Sequence, residues 1–372
     1  MSINQVKLAE TFAALVEIDN PSYGEREMAM VLTDRLQNLG LTVEEDNAWE
    51  LLGGNAGNLY AYLPGNADAK PLLFSCHMDS VEPSKGKCAV VGEDGVIRSA
   101  GDTVLGADDL SGVAAILEAL RVIKEKNLPH RPVDLLFSVA EEVYGKGAEL
   151  FDYSKIKSRE AYTLDLTGPV GSAANKAPTI LSFEANIAGK ASHAGFAPEQ
   201  GSHAILAAAS AISRLPMGRI DADSTFNIGV MQGGEATNIV PERCTVKGEV
   251  RSYSHEKAMA LCEKAKVAFE AAAGEVGASV DFSYSVGVTA YETPVDHPVV
   301  ERFHGVCDSL GLPFSIAPTF GGSDNNHFAQ NGIAGIVLAS AMHDCHSTKE
   351  TTSVEEMAQV AQIVLELMTS TE

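Results

Sequence analysis

The chain has 372 residues, of which 45% are hydrophobic and 21% are charged, and its formal net charge is −23 at pH 7. This composition is typical of a globular protein with one large domain or two smaller ones. The acidity argues against nucleic acid or an anionic membrane surface as the main partner, because both bind clustered Lys and Arg side chains.

The first ten residues include charges where a signal peptide would be apolar, and no apolar run is long enough to span a membrane. The six cysteines are scattered and form no Cys-x-x-Cys pair. In a chain of this length, such spacing is typical of reduced thiols. We therefore expect a cytoplasmic protein with no membrane partner.

The first half of the chain alternates helical and strand-like patterns. Apolar periodicity predicts helices over residues 4–18, from the 21–24 break to about 39, and from about 110 to 126. Strands are predicted over residues 41–45, 58–63, 71–76, 132–139 and 160–164. This alternation is typical of an α/β sheet, whose ligands bind beyond the carboxyl ends of the strands.

The pattern changes after residue 178. The order strand 179–189, helix 201–215, strands 225–233 and 243–252, helix 254–273 and strand 279–286 is that of a ferredoxin-like unit. The α/β alternation returns at about residue 291 and closes with a helix over 354–368. We therefore predict a discontinuous domain of residues 1–177 and 291–372, and an inserted domain of residues 178–290.

Asp108 and Asp109 are adjacent carboxylates on a glycine-flanked turn before a helix. Considered alone, an Asp at this place is an N-cap that accepts hydrogen bonds from free backbone N–H groups. The alternative hypothesis is that Asp108 bridges two metal ions, which in such hydrolytic sites lie about 3.5–4 Å apart.

Polar residues follow three of the apolar runs. His77 and Asp79 are two residues apart, so in an extended segment Asp79 can support a ligating His77. Glu141 and Glu142 form either a solvated acidic turn or a pair in which one residue binds metal and the other transfers protons. Asp165 is either a turn residue or a further ligand.

Two histidines near the C-terminal end, His343 and His346, compete for one ligand position. Imidazole and carboxylate together are suitable ligands for zinc. The residue pattern alone does not decide between the two histidines.

Nine short motifs, taken together, resemble those of the co-catalytic di-zinc metallopeptidases, and within them the peptidase T-like branch. The motifs keep the order of that family and lie at residues 75–81, 106–109, 140–142, 164–165, 192–201, 238–241, 249–251, 321–324 and 346–347. The resemblance implies an α/β catalytic domain with a mixed central sheet flanked by helices, plus an inserted ferredoxin-like α+β lid.

The resemblance also implies two Zn²⁺ ions, for which Co²⁺ or Mn²⁺ could substitute. His77 and Asp165 would bind one ion, Glu142 and His346 the other, and Asp108 both. Members of the family often carry Lys after the two aspartates. This chain has Leu110 instead, so a nearby positive charge is missing.

Further roles follow from the same resemblance. Asp79 would support His77, and Glu141 would act as general base and acid. The implied substrate-binding residues are His193, which would stabilise the oxyanion, and Asn238, Arg251 and Gly322.

The implied function is metal-dependent hydrolysis of short peptides, with an aminopeptidase that acts on tripeptides as the leading hypothesis. The first alternative is a carboxypeptidase or N-acyl amino acid amidohydrolase with the same site. The second is a non-catalytic peptide-binding protein. Since some members dimerise through the inserted domain, a homodimer is one expectation for this chain.

Overall fold

The computed structural model describes residues 3–371, which separate into two compact units. The first unit comprises the chain up to Lys176, Glu292–Thr319 and the chain from Ser323 onward. The second comprises Ala177–Tyr291 and Phe320–Gly322. Across residues 3–371, no helix combines the length and apolarity needed to cross a membrane.

Helices and strands alternate along most of the chain. The helices are α1 (Gln5–Val16), α2 (Arg26–Asn38), α3 (Ala48–Leu52), α4 (Ala107–Lys126), α5 (Lys146–Leu150), α6 (Ala204–Ser213), α7 (His255–Glu275), α8 (Pro298–Leu310), α9 (Asn325–Gln330) and α10 (Val354–Thr369). The strands are β1 (Thr42–Glu45), β2 (Leu59–Leu63), β3 (Leu72–His77), β4 (Ala89–Val91), β5 (Val96–Ser99), β6 (Val133–Ser138), β7 (Glu160–Leu166), β8 (Ser172–Ala177), β9 (Thr179–Ala188), β10 (Gly218–Asp221), β11 (Ser224–Gly233), β12 (Arg243–Ser252), β13 (Ser279–Val288), β14 (Tyr291–Glu292), β15 (Ser315–Pro318), β16 (Ala334–Ala339) and β17 (Thr351–Ser353).

The first unit is built on a mixed sheet with the strand order β1-β2-β6-β3-β7-β16-β8-β14, and β15 pairs with β8. The four central strands β6, β3, β7 and β16 are parallel to their neighbours in this group. Their carboxyl ends therefore lie at the same edge of the sheet. A small separate sheet joins β17, β5 and β4.

Both faces of the central sheet are covered, because successive side chains of a strand point to opposite faces. Phe74 and Phe137 belong to the large core that also includes residues of α1, α4 and α10. Leu73 and Leu136 belong to a smaller core on the other face. Every residue of β3 and β6 is buried, as expected for strands between two layers.

The second unit is a five-stranded antiparallel sheet with the order β10-β11-β12-β9-β13. Helices α6 and α7 pack on it around Phe183, Phe226 and Phe269. The strand order without β10 is the ferredoxin-like arrangement that the sequence predicts.

Several short elements were not predicted. These are the sheet of β4, β5 and β17, the strands β8, β10, β14 and β15, and the helices α3, α5 and α9. Helix α1 ends at Val16, two residues before the predicted end. Helix α6 begins at Ala204, not at 201, because the His203 side chain accepts a hydrogen bond from Leu206 N and caps it.

Candidate metal centre

The candidate centre lies at the carboxyl ends of three adjacent parallel strands. β3 ends at His77, β6 leads into the turn that carries Glu141 and Glu142, and Asp165 lies near the end of β7. Helix α4 begins nearby at Ala107, and its second residue is Asp108, whose peptide bond to Asp109 is cis. The order of the strands in the sheet thus brings these distant residues together.

Asp108 lies between two histidine rings. Its Oδ1 is 3.1 Å from His77 Nε2, and its Oδ2 is 3.2 Å from His346 Nε2. The same His346 nitrogen is 3.0 Å from Oε2 of Glu142. Each oxygen of the Asp108 carboxylate therefore faces a different imidazole.

Asp109 has a different environment. Its Oδ2 accepts a hydrogen bond from the backbone N–H of His77 at 3.2 Å, so its carboxylate holds the end of β3. Both Asp108 and Asp109 have non-helical backbone angles, so the regular part of α4 begins after them. Both aspartates therefore contact His77, Asp108 at the imidazole ring and Asp109 at the backbone N–H.

Two groups of side chains have the spacing of metal ligands. His77, Asp108 and Asp165 form one group, and Asp108, Glu142 and His346 form the other. Within each group the ligand atoms lie within 4.8 Å of one another. Asp108 belongs to both.

The donor set fits a pair of divalent cations. It contains three carboxylates and two imidazoles, the ligands that zinc accepts at hydrolytic sites. Oε1 of Glu142 is buried and has no hydrogen-bond partner. A buried charged oxygen without a partner is costly, and a cation at this place would satisfy it.

The charges of the centre shift the pKa values of its members. Hydrogen bonds with Asp108 and Glu142 raise the pKa of His346 to about 10. Burial, reinforced by the charges of Glu141 and Asp108, raises the pKa of Asp165 well above its usual range. The carboxylates therefore need positive charge nearby, which protons on the imidazoles or bound cations can supply.

Asp79 connects two parts of the centre. Nδ1 of His77 is 3.0 Å from the backbone oxygen of Asp79 and 3.5 Å from its carboxylate. The carboxylate accepts hydrogen bonds from the backbone N–H groups of Glu141 (3.0 Å) and Glu142 (3.2 Å), and from Oγ of Ser22 (2.7 Å). Asp79 thus holds the acidic turn as well as His77.

Glu25 supports the same turn from another side. It is buried, and its Oε1 accepts hydrogen bonds from the N–H groups of Ala140 and Tyr23, both at 2.9 Å. Sequence reasoning missed Glu25 and Ser22. No local pattern marks them, because the residues of the centre that they bind, Ala140 and Asp79, are distant in the chain.

The structure distinguishes His346 from His343. The ring of His343 lies 2.8 Å from the Glu356 carboxylate, next to Ser353, which caps α10. His343 is in neither of the two ligand groups, whereas His346 is in one.

Glu141 lies beside the ligands and is not a member of either group. Burial raises the pKa of its carboxyl well above the usual range, and the charges of Asp324, Glu142 and Asp79 contribute. These surroundings favour the protonated form of the carboxyl group.

The remaining predicted residues lie in the second unit. His193 is exposed, and its Nδ1 accepts hydrogen bonds from Gly195 N (3.1 Å) and Phe196 N (3.2 Å). The ring proton is therefore on Nε2, which is left as a donor. Ala194 N donates to Asn238 O at 2.9 Å, so the segments of His193 and Asn238 are adjacent.

Arg251 already has partners within the second unit. Its guanidinium donates to both carboxylate oxygens of Glu249, at 2.6 and 3.1 Å, and to the backbone oxygen of Phe320 at 2.7 Å. Gly322 belongs to the short segment that begins with Phe320. Arg251 thus holds the segment that contains Gly322.

The fold and the ligand groups define a metal-dependent peptide hydrolase with an inserted domain. Residues 58–208 match the family described as peptidase family M28, and residues 176–277 match the peptidase dimerisation domain. The chain is 37% identical to the uncharacterized protein YqjE of Bacillus subtilis over 98% of each chain.

Two solved structures are similar over nearly the whole length. The aminopeptidase PepT of Bacillus cereus is 39% identical, with a TM-score of 0.92, over 99% of this chain and 98% of that one. A tripeptidase of Staphylococcus aureus is 32% identical, with a TM-score of 0.96, over 99% of both chains. The chain belongs to the metallopeptidase family that includes peptidase T.

Proposed function

We propose that the chain is an aminopeptidase that removes the N-terminal residue of short peptides, tripeptides above all. The observation that carries the proposal is the pair of ligand groups that share Asp108. The similar structures of an aminopeptidase and a tripeptidase support the choice of substrate class.

The proposed cofactor is a pair of Zn²⁺ ions, with Co²⁺ or Mn²⁺ as substitutes. His77 and Asp165 would hold one ion, Glu142 and His346 the other, and Asp108 both. When bound, such ions lower the pKa of a water molecule and polarise the substrate carbonyl.

Glu141 is the proposed proton carrier. Its backbone is fixed by the hydrogen bond from its N–H to Asp79, and Glu142, the next residue in the chain, belongs to a ligand group. It takes the proton of the attacking water and delivers it to the leaving amine. Asp79 keeps Glu141 and His77 in place through its contacts with both segments.

The second unit is the proposed substrate-binding lid. The free Nε2–H of His193 is suited to stabilise the oxyanion of the tetrahedral intermediate. Asn238, adjacent to the His193 segment, and Arg251 with Gly322 would contact the peptide. Arg251 would reach a terminal carboxylate only with the N–H groups that Glu249 and Phe320 leave free.

The proposed domains are residues 1–177 with 291–372, which hold the catalytic site, and the inserted residues 178–290. The match to the dimerisation domain supports a homodimer formed through the insert. We also propose a cytoplasmic location, which is supported by the six free thiols.

Free and N-acetylated di- and tripeptides, incubated with the metal-loaded protein, test the specificity. An aminopeptidase cleaves the free tripeptide, releases its first residue and leaves the acetylated peptide intact. Equal cleavage of the acetylated peptide, or release of the C-terminal residue, would instead identify a carboxypeptidase or N-acyl amino acid amidohydrolase.

A further inference from the structure

Glu350 is a buried carboxylate with no role in the proposed reaction. Its exposed fraction is 2%, and it lies four residues after His346 in the chain. Its side chain lies against the turn that carries Asp108, which is more than two hundred residues earlier in the chain.

One carboxylate binds three backbone N–H groups of that turn. Oε2 accepts hydrogen bonds from Leu105 N and Gly106 N, both at 2.7 Å, and Oε1 accepts one from Asp108 N at 2.9 Å. Asp108 lies in the first turn of α4, where backbone N–H groups have no acceptor within the helix. Glu350 supplies the acceptor that the helix does not.

The same residue is tied to the His346 segment. Glu350 N donates to the backbone oxygen of Ser347 at 3.1 Å, which closes the residues after His346 into a turn. The carboxylate of Glu350 therefore links two residues of one candidate ligand group, Asp108 and His346, through a short and hydrogen-bonded path.

We propose that Glu350 is a positioning residue that sets the distance between Asp108 and His346 and thereby the affinity for one of the two cations. This inference rests on the proposed ligand set. The more strongly affected cation is the one assigned to Asp108, Glu142 and His346, because that group contains both residues that Glu350 links, whereas the other group contains Asp108 alone.

The chemistry requires a carboxylate at this position. A Gln side chain has one acceptor oxygen, so its NH₂ group would face one of the backbone N–H groups. The turn has little space in which to rearrange. A Cβ atom at Gly106 would lie 3.0 Å from Lys87 Cε and 3.1 Å from Ser80 Oγ. Loss of one acceptor is therefore expected to displace Asp108 relative to His346.

The test is a Zn²⁺ titration of the full chain after removal of metal, in competition with a chromophoric chelator. Glu350→Gln is expected to weaken the binding of the Zn²⁺ ion assigned to Asp108, Glu142 and His346 about 10–100-fold, and the binding of the other ion less, because residues that orient metal ligands commonly have effects of this size. His346→Asn provides the reference, because it removes a ligand of the same ion. Glu350→Asp serves as the second variant if Glu350→Gln does not fold. It withdraws both carboxylate oxygens by one methylene, so it is expected to weaken the binding of the same Zn²⁺ ion.

Glu356→Gln is the matched control. Glu356 lies in the same part of the chain, but its carboxylate binds His343 at 2.8 Å and Ser353 Oγ at 3.0 Å. It should leave both Zn²⁺ affinities unchanged. Thermal unfolding of each variant, with and without Zn²⁺, separates the stability of the metal-free protein from the increment that metal binding adds.

Two results would overturn the inference. One is a lower unfolding temperature of metal-free Glu350→Gln with Zn²⁺ affinities equal to wild type, which would make Glu350 a structural residue. The other is an equal loss for both ions. If wild type itself binds fewer than two Zn²⁺ ions, the proposed function fails and not the role of Glu350 alone.

Discussion

Replacing Asp79 by Asn should lower the unfolding free energy of the first unit and also lower kcat. Asp79 is fully buried, and its two oxygens accept hydrogen bonds from Ser22, Glu141 and Glu142. Asn has nearly the same shape but carries a donor in place of one oxygen. Either orientation of the amide leaves one backbone N–H of the acidic turn facing another donor.

The size of the loss in unfolding free energy follows from that single unpaired N–H group. A buried N–H without an acceptor costs about 1–3 kcal/mol of unfolding free energy. The hydroxyl of Ser22 can rotate to accept a hydrogen bond, so it adds little to the loss. Because the turn that carries Glu141 and Glu142 loses one of its two hydrogen bonds to residue 79, kcat should fall about 10–100-fold, while KM changes less.

Urea unfolding followed by tryptophan fluorescence measures the loss of unfolding free energy. Trp49 is the single tryptophan of the chain and lies in the first unit, so its signal reports that unit. The control is Asp94→Asn, because Asp94 is exposed and should change stability by less than about 0.5 kcal/mol. If Asp79→Asn behaves like this control in both stability and kcat, the reasoning about the acidic turn is wrong.

Three further predictions concern residues around the same centre. Burial, and then the charge of Asp79, raises the pKa of Glu25 from 4.5 to about 7, so the folded protein keeps a proton that the unfolded chain releases. Wild-type stability should therefore fall by about 3 kcal/mol as the pH rises through this window. Glu25→Gln should lack this fall in stability, which urea midpoints of both proteins at about pH 5 and about pH 8 measure. Midpoints that change in parallel for the two proteins would contradict the prediction. Glu141→Gln should bind Zn²⁺ like wild type but lose about 10²–10⁴-fold in kcat, and activity within about threefold of wild type would reject its role. Asp108→Ala should lower the content of both cations in elemental analysis, whereas loss of one alone would contradict a bridging position.

The architecture could be predicted because its signals are local. The buried runs before His77 and Glu141 show as strands in the sequence, and the order of elements between residues 179 and 286 defines a ferredoxin-like unit. The short β4, β5 and β17 have too few residues for a periodic pattern, so they were not predicted.

The residues that hold the centre together could not be found in this way. Ser22, Glu25 and Glu350 meet their partners across 57, 115 and 242 positions of the chain. No periodicity connects such distant residues. The choice between His343 and His346 likewise depends on a packing fact, the contact of His343 with Glu356.

The inserted residues leave and re-enter the first unit at one place. Lys176 and Glu292 form an ion pair at 2.7 Å, and Asn175 exchanges two hydrogen bonds with Thr293, at 2.7 and 2.8 Å. A short turn could join these ends without rethreading any strand of the mixed sheet. The two ends of the insert, in β8 and β14, are thus held together by residues of the first unit itself. We therefore expect a chain shortened between residues 178 and 290 to keep the strand order of the sheet that carries the metal ligands.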